Sequence, residues 1–87
     1  MKAVITVLGK DMVGILARVS QTCAEANVNV VEVTQSILEE YFAMIMLVDI
    51  SKMNVSIDEF QKKLKEKVSD MEIHVMHEDI FNSMHRI

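Results

Sequence analysis

The stretch Gly9-Lys10-Asp11-Met12-Val13-Gly14 holds both glycines of the chain, between the apolar run of residues 3–8 and a helical pattern that starts near Ile15. A strand that ends in glycine, turns through polar residues and enters a helix past a second glycine presents the helix's first N–H groups outward. That is a place where a small anion can bind. Glycine suits such a turn because it accepts positive φ and lets backbone approach backbone or ligand. A β-branched side chain at Gly14 should therefore crowd both the anion position and the helix–strand contact. The plain structural alternative stays open: Gly9 only ends a strand and Gly14 only lets the helix pack on the sheet, since a two-glycine turn is a weak signal by itself.

Other residue types invite chemistry and offer less. His74 and His77 stand three apart on a strand-like segment and so face opposite sides of a sheet, which keeps them from sharing one metal ion with each other or with His85. Cys23, the only cysteine, lies on the apolar face of a helical pattern, where a structural thiol is the default. No paired nucleophile and base is apparent. The eight methionines read as core and interface filling, and the Lys62–Lys67 run, broken by Leu64 and Glu66, as the solvent face of a helix.

The elements that position the loop follow from periodicity. After the first strand, Ile15, Leu16, Val19, Cys23 and Ala26 recur at helical spacing, with Asp11 as the expected cap and Asn27 at the expected helix end. Residues 28–38 are rich in Val, Thr and Ile, and Glu39-Glu40 turns them into the strand 41–50, giving a hairpin. That second strand is apolar on both alternating faces, so it should be central and covered on both. Ser56 and Glu59 form a capping box for a helix whose apolar face is Ile57, Phe60, Leu64 and Val68. Met71, Ile73 and Val75 then alternate inward along a last strand, and Ile80, Phe81, Met84 and Ile87 can share a face of a short helical tail.

The order strand, helix, strand, strand, helix, strand is the split βαβ arrangement of ferredoxin-like α+β folds. It predicts a four-stranded antiparallel sheet with two helices on one face. The other face then carries apolar residues of the strand 41–50, Phe42, Met44, Met46 and Val48 or their neighbours, that need a second subunit or the tail 80–87 to cover them. Eighty-seven residues make one core. A formal net charge of −4, without a basic cluster, argues against nucleic acid. No apolar run is long enough to cross a bilayer, no secretory pattern follows Met1, and the lone cysteine suits a reducing compartment, so a cytoplasmic location is expected.

The element order, the loop 9–14, the step Asn27-Val28-Asn29-Val30 and the strand 41–49 together resemble an ACT domain. More narrowly, the chain resembles small stand-alone bacterial ACT-domain proteins that look like regulators of glycine cleavage and end in a similar Ile-Phe-Asn-x-Met-His-Arg-Ile tail. The resemblance implies an ACT domain over 1–79 with a helical tail at 80–87. It also implies a regulatory module that binds an amino acid or related metabolite as a homo-oligomer, with no cofactor and no catalysis. Where the family loop often reads Asp-x-Pro-Gly, this chain has Asp11-Met12-Val13-Gly14, losing the proline that would fix the first helical turn.

Family ligands sit between this loop and the first helix or second strand of a neighbour, which nominates Lys10, Asp11, Met12, Val13 and Gly14, with Asn27 and Asn29. A ligand carboxylate would take N–H groups near Val13, Gly14 and Ile15, and its ammonium would need Asp11 or an asparagine oxygen. Asp11 also reads as a helix cap, and Asn27 and Asn29 as turn residues. Two other functions of this fold remain open: a structural dimerisation module without ligand, and an acylphosphatase-like enzyme that would need the cations Lys10 and Arg18.

Overall fold

The computed structural model describes residues 1–10 and 13–84 of the chain. The expected elements are all there: β1 (Lys2–Gly9), α1 (Ile15–Glu25), β2 (Asn29–Leu38), β3 (Tyr41–Asp49), α2 (Ile57–Lys67), β4 (Glu72–His77) and α3 (Glu78–Met84). The strands form one sheet in the order β2-β3-β1-β4, antiparallel throughout. This is the ferredoxin-like arrangement that the element order predicts.

Alternation along the strands divides the sheet into two unequal faces. Ala3, Ile5 and Val7 of β1 and Phe42, Met44, Met46 and Val48 of β3 are all buried. They form one core with Ile15, Val19 and Cys23 of α1 and with Phe60 and Leu64 of α2. The Phe42–Val48 set therefore faces the two helices, and it is their neighbours Tyr41, Ala43, Ile45 and Leu47 that face the other side. There α3 lies over part of the sheet, forming a groove in which its Phe81 stands with Val4, Ile45 and Leu47. Val4 is buried as a result.

The tail thus packs on its own chain. Only part of its expected apolar face is used: Phe81 is half-buried, Ile80 and Met84 are exposed, and Ile87 lies outside the described residues. Leu8 and Tyr41 stay 45–49% exposed on the uncovered remainder of the sheet, and Ile45, beside the α3 groove, 41%.

The helix ends show which local signals act. Ser56 caps α2, its Oγ accepting from the Glu59 N–H at 3.2 Å. Asn27 takes φ 60 just past α1, as its position predicts, while the Val28 N–H donates to the Cys23 carbonyl at 2.8 Å. At the start of α1 the cap position is Gly14, with φ 72 and no side-chain hydrogen bond. Asp11, the expected cap, lies outside the described residues together with Met12.

The two glycines have different jobs. A Cβ on Gly9 would collide with the Met71 sulfur, so Gly9 is a close-approach glycine. A Cβ on Gly14 would meet nothing within 4 Å. The crowding of the helix–strand contact expected at Gly14 is therefore absent, and what the structure itself asks of glycine there is the positive φ.

We expect Gly9→Ala to cost about 1–3 kcal/mol of stability, the usual penalty for overpacking. In urea unfolding, Gly9→Ala combined with Met71→Ala should lose clearly less than the sum of the two single losses, because the second change removes the clash. Additive losses would show that the contact is not what requires glycine at position 9.

Candidate functional site

β1 is hydrogen-bonded on both sides to antiparallel partners, so its C-terminal end is flanked by the beginnings of β3 and β4: Gly9 pairs with Phe42, and Leu8 with Glu72. Three chain segments converge there, namely the turn from β1 into α1, Tyr41, and the turn from α2 into β4. Between them is a cleft of ≈ 790 Å³, inside the roughly 300–1,000 Å³ range of small-molecule sites. Leu8, Val13, Tyr41, Val68 and Met71 give it apolar walls, and Lys10, Arg18, Asp70 and Glu72 give it charge of both signs.

The α2–β4 turn is held firmly. The Val68 N–H donates to the Leu64 carbonyl at 3.0 Å and the Met71 N–H to the Val68 carbonyl at 3.1 Å. One strand further on, the Val75 N–H donates to Gln61 Oε1 at 2.7 Å, tying β4 to α2. Met71 is nearly buried against Gly9, so the two turns that form the cleft touch through that contact.

On the opposite rim the Lys10 ammonium lies 5.8 Å from the centre of the Tyr41 ring, within reach of a weak cation–π attraction. Among the described residues no ion pair joins Lys10 or Arg18 to a carboxylate. The first intrahelical bond of α1 runs from the Arg18 N–H to the Gly14 carbonyl at 3.0 Å. The N–H groups ahead of it have no partner within the helix, and the positive end of α1 points toward the same turn.

The residues nominated from the sequence divide between two ends of the molecule. Lys10 and Val13 line this cleft, and Gly14 starts the helix beside it. Asn27 and Asn29 lie past the far end of α1, an eleven-residue helix and so about 16 Å long. There they border a second hollow of ≈ 510 Å³ with Asp49, Ser51 and Lys52. One chain does not bring the two groups together.

The polar groups of that second hollow are largely engaged with one another. Asn27 Nδ2 donates to the Lys52 carbonyl at 2.8 Å, the Ser51 N–H to Asp49 Oδ1 at 2.9 Å, and the terminal ammonium of Met1 to Ser51 Oγ at 2.7 Å. These bonds close the joint between β1, β3 and the end of α1, which gives Asn27 a structural role. The hydrogen bonds from Ser51, aided by the terminal ammonium and Lys2, hold the Asp49 carboxyl below its usual range.

Elsewhere the chemistry is quiet. Burial pushes the Cys23 thiol up to about 11, so it is a thiol and not a nucleophile at neutral pH. His74 pairs with Thr6 and His77 with Ala3, on opposite faces of the sheet. Among the described residues no group of three His, Cys, Asp or Glu side chains could hold a metal ion, and no helix is long and apolar enough to cross a membrane.

Sequence reading missed the far wall of the cleft, Ser69, Asp70, Met71 and Glu72, and the contribution of Tyr41. Taken alone, Ser69-Asp70 is a polar turn like many others. The signal that finds these residues is topological: the strand order places the starts of β3 and β4 beside Gly9.

The family follows from comparison with known proteins. The model of the ACT domain matches residues 2–78. The chain belongs to the ACT-domain family. It is 51% identical to a UPF0237 protein of Clostridium perfringens and 47% identical to one of Listeria monocytogenes, in each case over all of both chains. Among solved structures, an ACT domain protein from Streptococcus pneumoniae superimposes with a TM-score of 0.79 at 33% identity, with 98% of each chain covered. The likeness to these relatives runs along their whole length.

The lowered carboxyl of Asp49 has a direction that can be checked. A carboxylate held below its unfolded value adds stability above that value, near 3.8, and loses it as pH falls through the folded value. Asp49→Asn should therefore melt below the parent at pH 7, and the difference should shrink as the pH is taken to 3 and below. A difference that stays constant over that range would remove the charge from the explanation.

Proposed function

We propose that this ACT-domain protein is a regulatory module that binds a small carboxylate-bearing metabolite, of the amino-acid class, in the cleft at the C-terminal end of β1, and that it acts as a homo-oligomer without catalysing a reaction. The observation that carries the reading is the cleft itself. It has the volume of a small-molecule site and opens beside the N-terminus of α1, whose cap position is a glycine, with Lys10 and Arg18 on its walls to attract an anion. Membership of a family whose members typically bind amino acids supports it. Acyl transfer or hydrolysis finds little support: the hydroxyl–carboxylate contact among the described cleft residues, Ser69 Oγ donating to Asp70 Oδ1 at 3.3 Å, joins chain neighbours in an exposed turn, and no histidine stands in the lining. A cytoplasmic location suits a regulator of this kind.

The oligomer is argued from surface that one chain leaves in water. Leu8, Tyr41 and Ile45 are exposed on the partly covered sheet face, and Val31, Val33 and Ile37 along the edge strand β2. Exposed apolar patches and long unpaired edges are features that association hides.

Binding should stabilise the fold. A ligand at about 100 times its dissociation constant contributes roughly 2.7 kcal/mol, and about 4–8 °C per kcal/mol for a domain of this size makes the melting shift roughly 10–20 °C. A millimolar panel of the twenty amino acids and common metabolic acids, read by thermal shift, tests this. Gly14→Val should abolish the shift, because a β-branched residue is strained at φ 72 and would rebuild the turn; Lys65→Ala on α2 should leave it unchanged. If no compound moves the midpoint by more than about 2 °C, the ligand reading fails and a structural dimerisation role replaces it.

Light scattering at micromolar concentration should give a mass at least twice the 9.9 kDa of the chain. A clean monomer would show that α3 alone suffices to cover the sheet.

A further inference from the structure

We propose that a second copy of this chain packs face to face on the bare half of the sheet beside α3, so that the two α3 helices lie side by side in one layer between two sheets. The inference rests on the homo-oligomer reading. It goes further by naming the surface that joins the copies and its geometry.

Register fixes what each half of that face carries. Val4 of β1 pairs with Leu47 of β3 and Met76 of β4, and this level lies under α3, whose Phe81 shares a groove with Val4 and Leu47. Four residues on, Leu8 pairs with Ala43 and Glu72, and Tyr41 stands close by on the same face. No described element lies over this second level, where Leu8 and Tyr41 are exposed. The two levels are about 13 Å apart at the rise of an extended strand. Packed helices lie about 8–10 Å apart, so the bare half has room for one more helix beside α3.

Helix geometry gives that room an apolar wall. α3 leaves β4 after His77 and by Asn82 borders Glu32 and Thr34 of β2, so it runs across the strands. The right-handed crossovers through α1 and α2 fix which way round this crossing goes. With Phe81 on the sheet, a right-handed helix turning about 100° per residue places Ile80 and Met84 together on the flank that faces Leu8. They are 52% and 65% exposed there. Wall and floor form one apolar step, with Ile80 and Met84 above Leu8, Tyr41 and Ile45.

A twofold copy fills this step with the element that shapes it. Rotation about an axis between two facing sheets, parallel to α3, sends the copy's α3 onto the bare half and turns its apolar flank back toward Ile80 and Met84. Each chain then covers in the other what it leaves in water itself, as an isologous contact requires. The copy's helix arrives already fixed to a sheet, so the contact carries little ordering cost. The molecule measures 36 × 33 × 19 Å, and a face spanning its two longer directions exceeds the roughly 800 Å² per partner of a standard interface. The edge of β2 is a poorer place for the copy. A bulge between Val30 and Glu32 interrupts its ladder, a device that discourages strand pairing.

Cysteine cross-linking of the full chain tests the arrangement. Chains carrying Ile80→Cys are mixed with chains carrying Ala43→Cys and oxidised with copper phenanthroline; the native Cys23 is buried and stays out of the reaction. A disulfide joining the two variants should form readily, whereas Lys65→Cys, on α2 and so on the other side of the sheet, should pair with neither. Light scattering reads the same contact without cross-links. Ile80→Ser with Met84→Ser, both at exposed positions, should weaken dimerisation about 10-fold or more, about 1.4 kcal/mol, with circular dichroism unchanged. Val33→Lys with Ile37→Lys on the edge of β2 should leave it as it is.

Two results would overturn this arrangement and keep the homo-oligomer reading: dimers that survive the α3 change and are lost with the β2 change, or, in a chain that scatters as an oligomer, a mixed disulfide no more abundant than with Lys65→Cys. A parent chain that stays monomeric at every concentration tried would overturn both.

Discussion

The architecture of the site end depends on one constraint: β1 occupies the interior of the sheet and is paired antiparallel on both sides. The end of β1 must therefore meet the beginnings of β3 and β4, and the chain must leave it through a turn into α1. This is why residues distant in sequence, Gly9, Tyr41 and Glu72, surround one hollow. The same constraint sends the start of β2 to the opposite end of the molecule, because β2 runs antiparallel to β3 and its Asn29 pairs with Asp49.

Packing turns that convergence into a defined shape. With no side chain on Gly9, Met71 can settle against the backbone, and this contact draws the α2–β4 turn onto the β1–α1 turn. Gly14 serves the other requirement, supplying the positive φ from which α1 starts. A glycine at the cap position offers no side chain of its own to the helix, whose leading N–H groups have no partner within α1. Structure and the proposed binding share one turn: the exit from β1 borders a rim with charge of both signs over an apolar floor.

Most of the fold is legible in the sequence, and the reason is periodicity. Helical spacing at Ile15, Val19 and Cys23, alternation at Ile73 and Val75, and the Ser56 cap each report a local preference that the tertiary structure keeps. The two-sided strand β3 is less readable, since Phe42 and Ile45 are equally apolar and only the position of the helices decides which is buried. The site is half legible. Two glycines mark one wall, but the other wall is a turn whose role depends on what lies beside it. Family resemblance nominated Asn27 and Asn29 as contacts from a neighbour, and the helical spacing that ends at Asn27 already puts the whole length of α1 between them and the loop within one chain. Tail chemistry divides in the same way: Phe81 finds the sheet, while Ile80 and Met84, equally apolar, do not.

The account rests on which end of the molecule meets the ligand, and amide chemical shifts distinguish the two ends directly. On titration of the ¹⁵N-labelled chain with the compound of the panel that most raises its melting point, the changes should concentrate at Gly9, Lys10, Ile15 and Ser69 to Glu72, and die away toward Asn27. Changes centred instead on Asn27, Asn29, Ser51 and Lys52, or none with any compound of the panel, would contradict it.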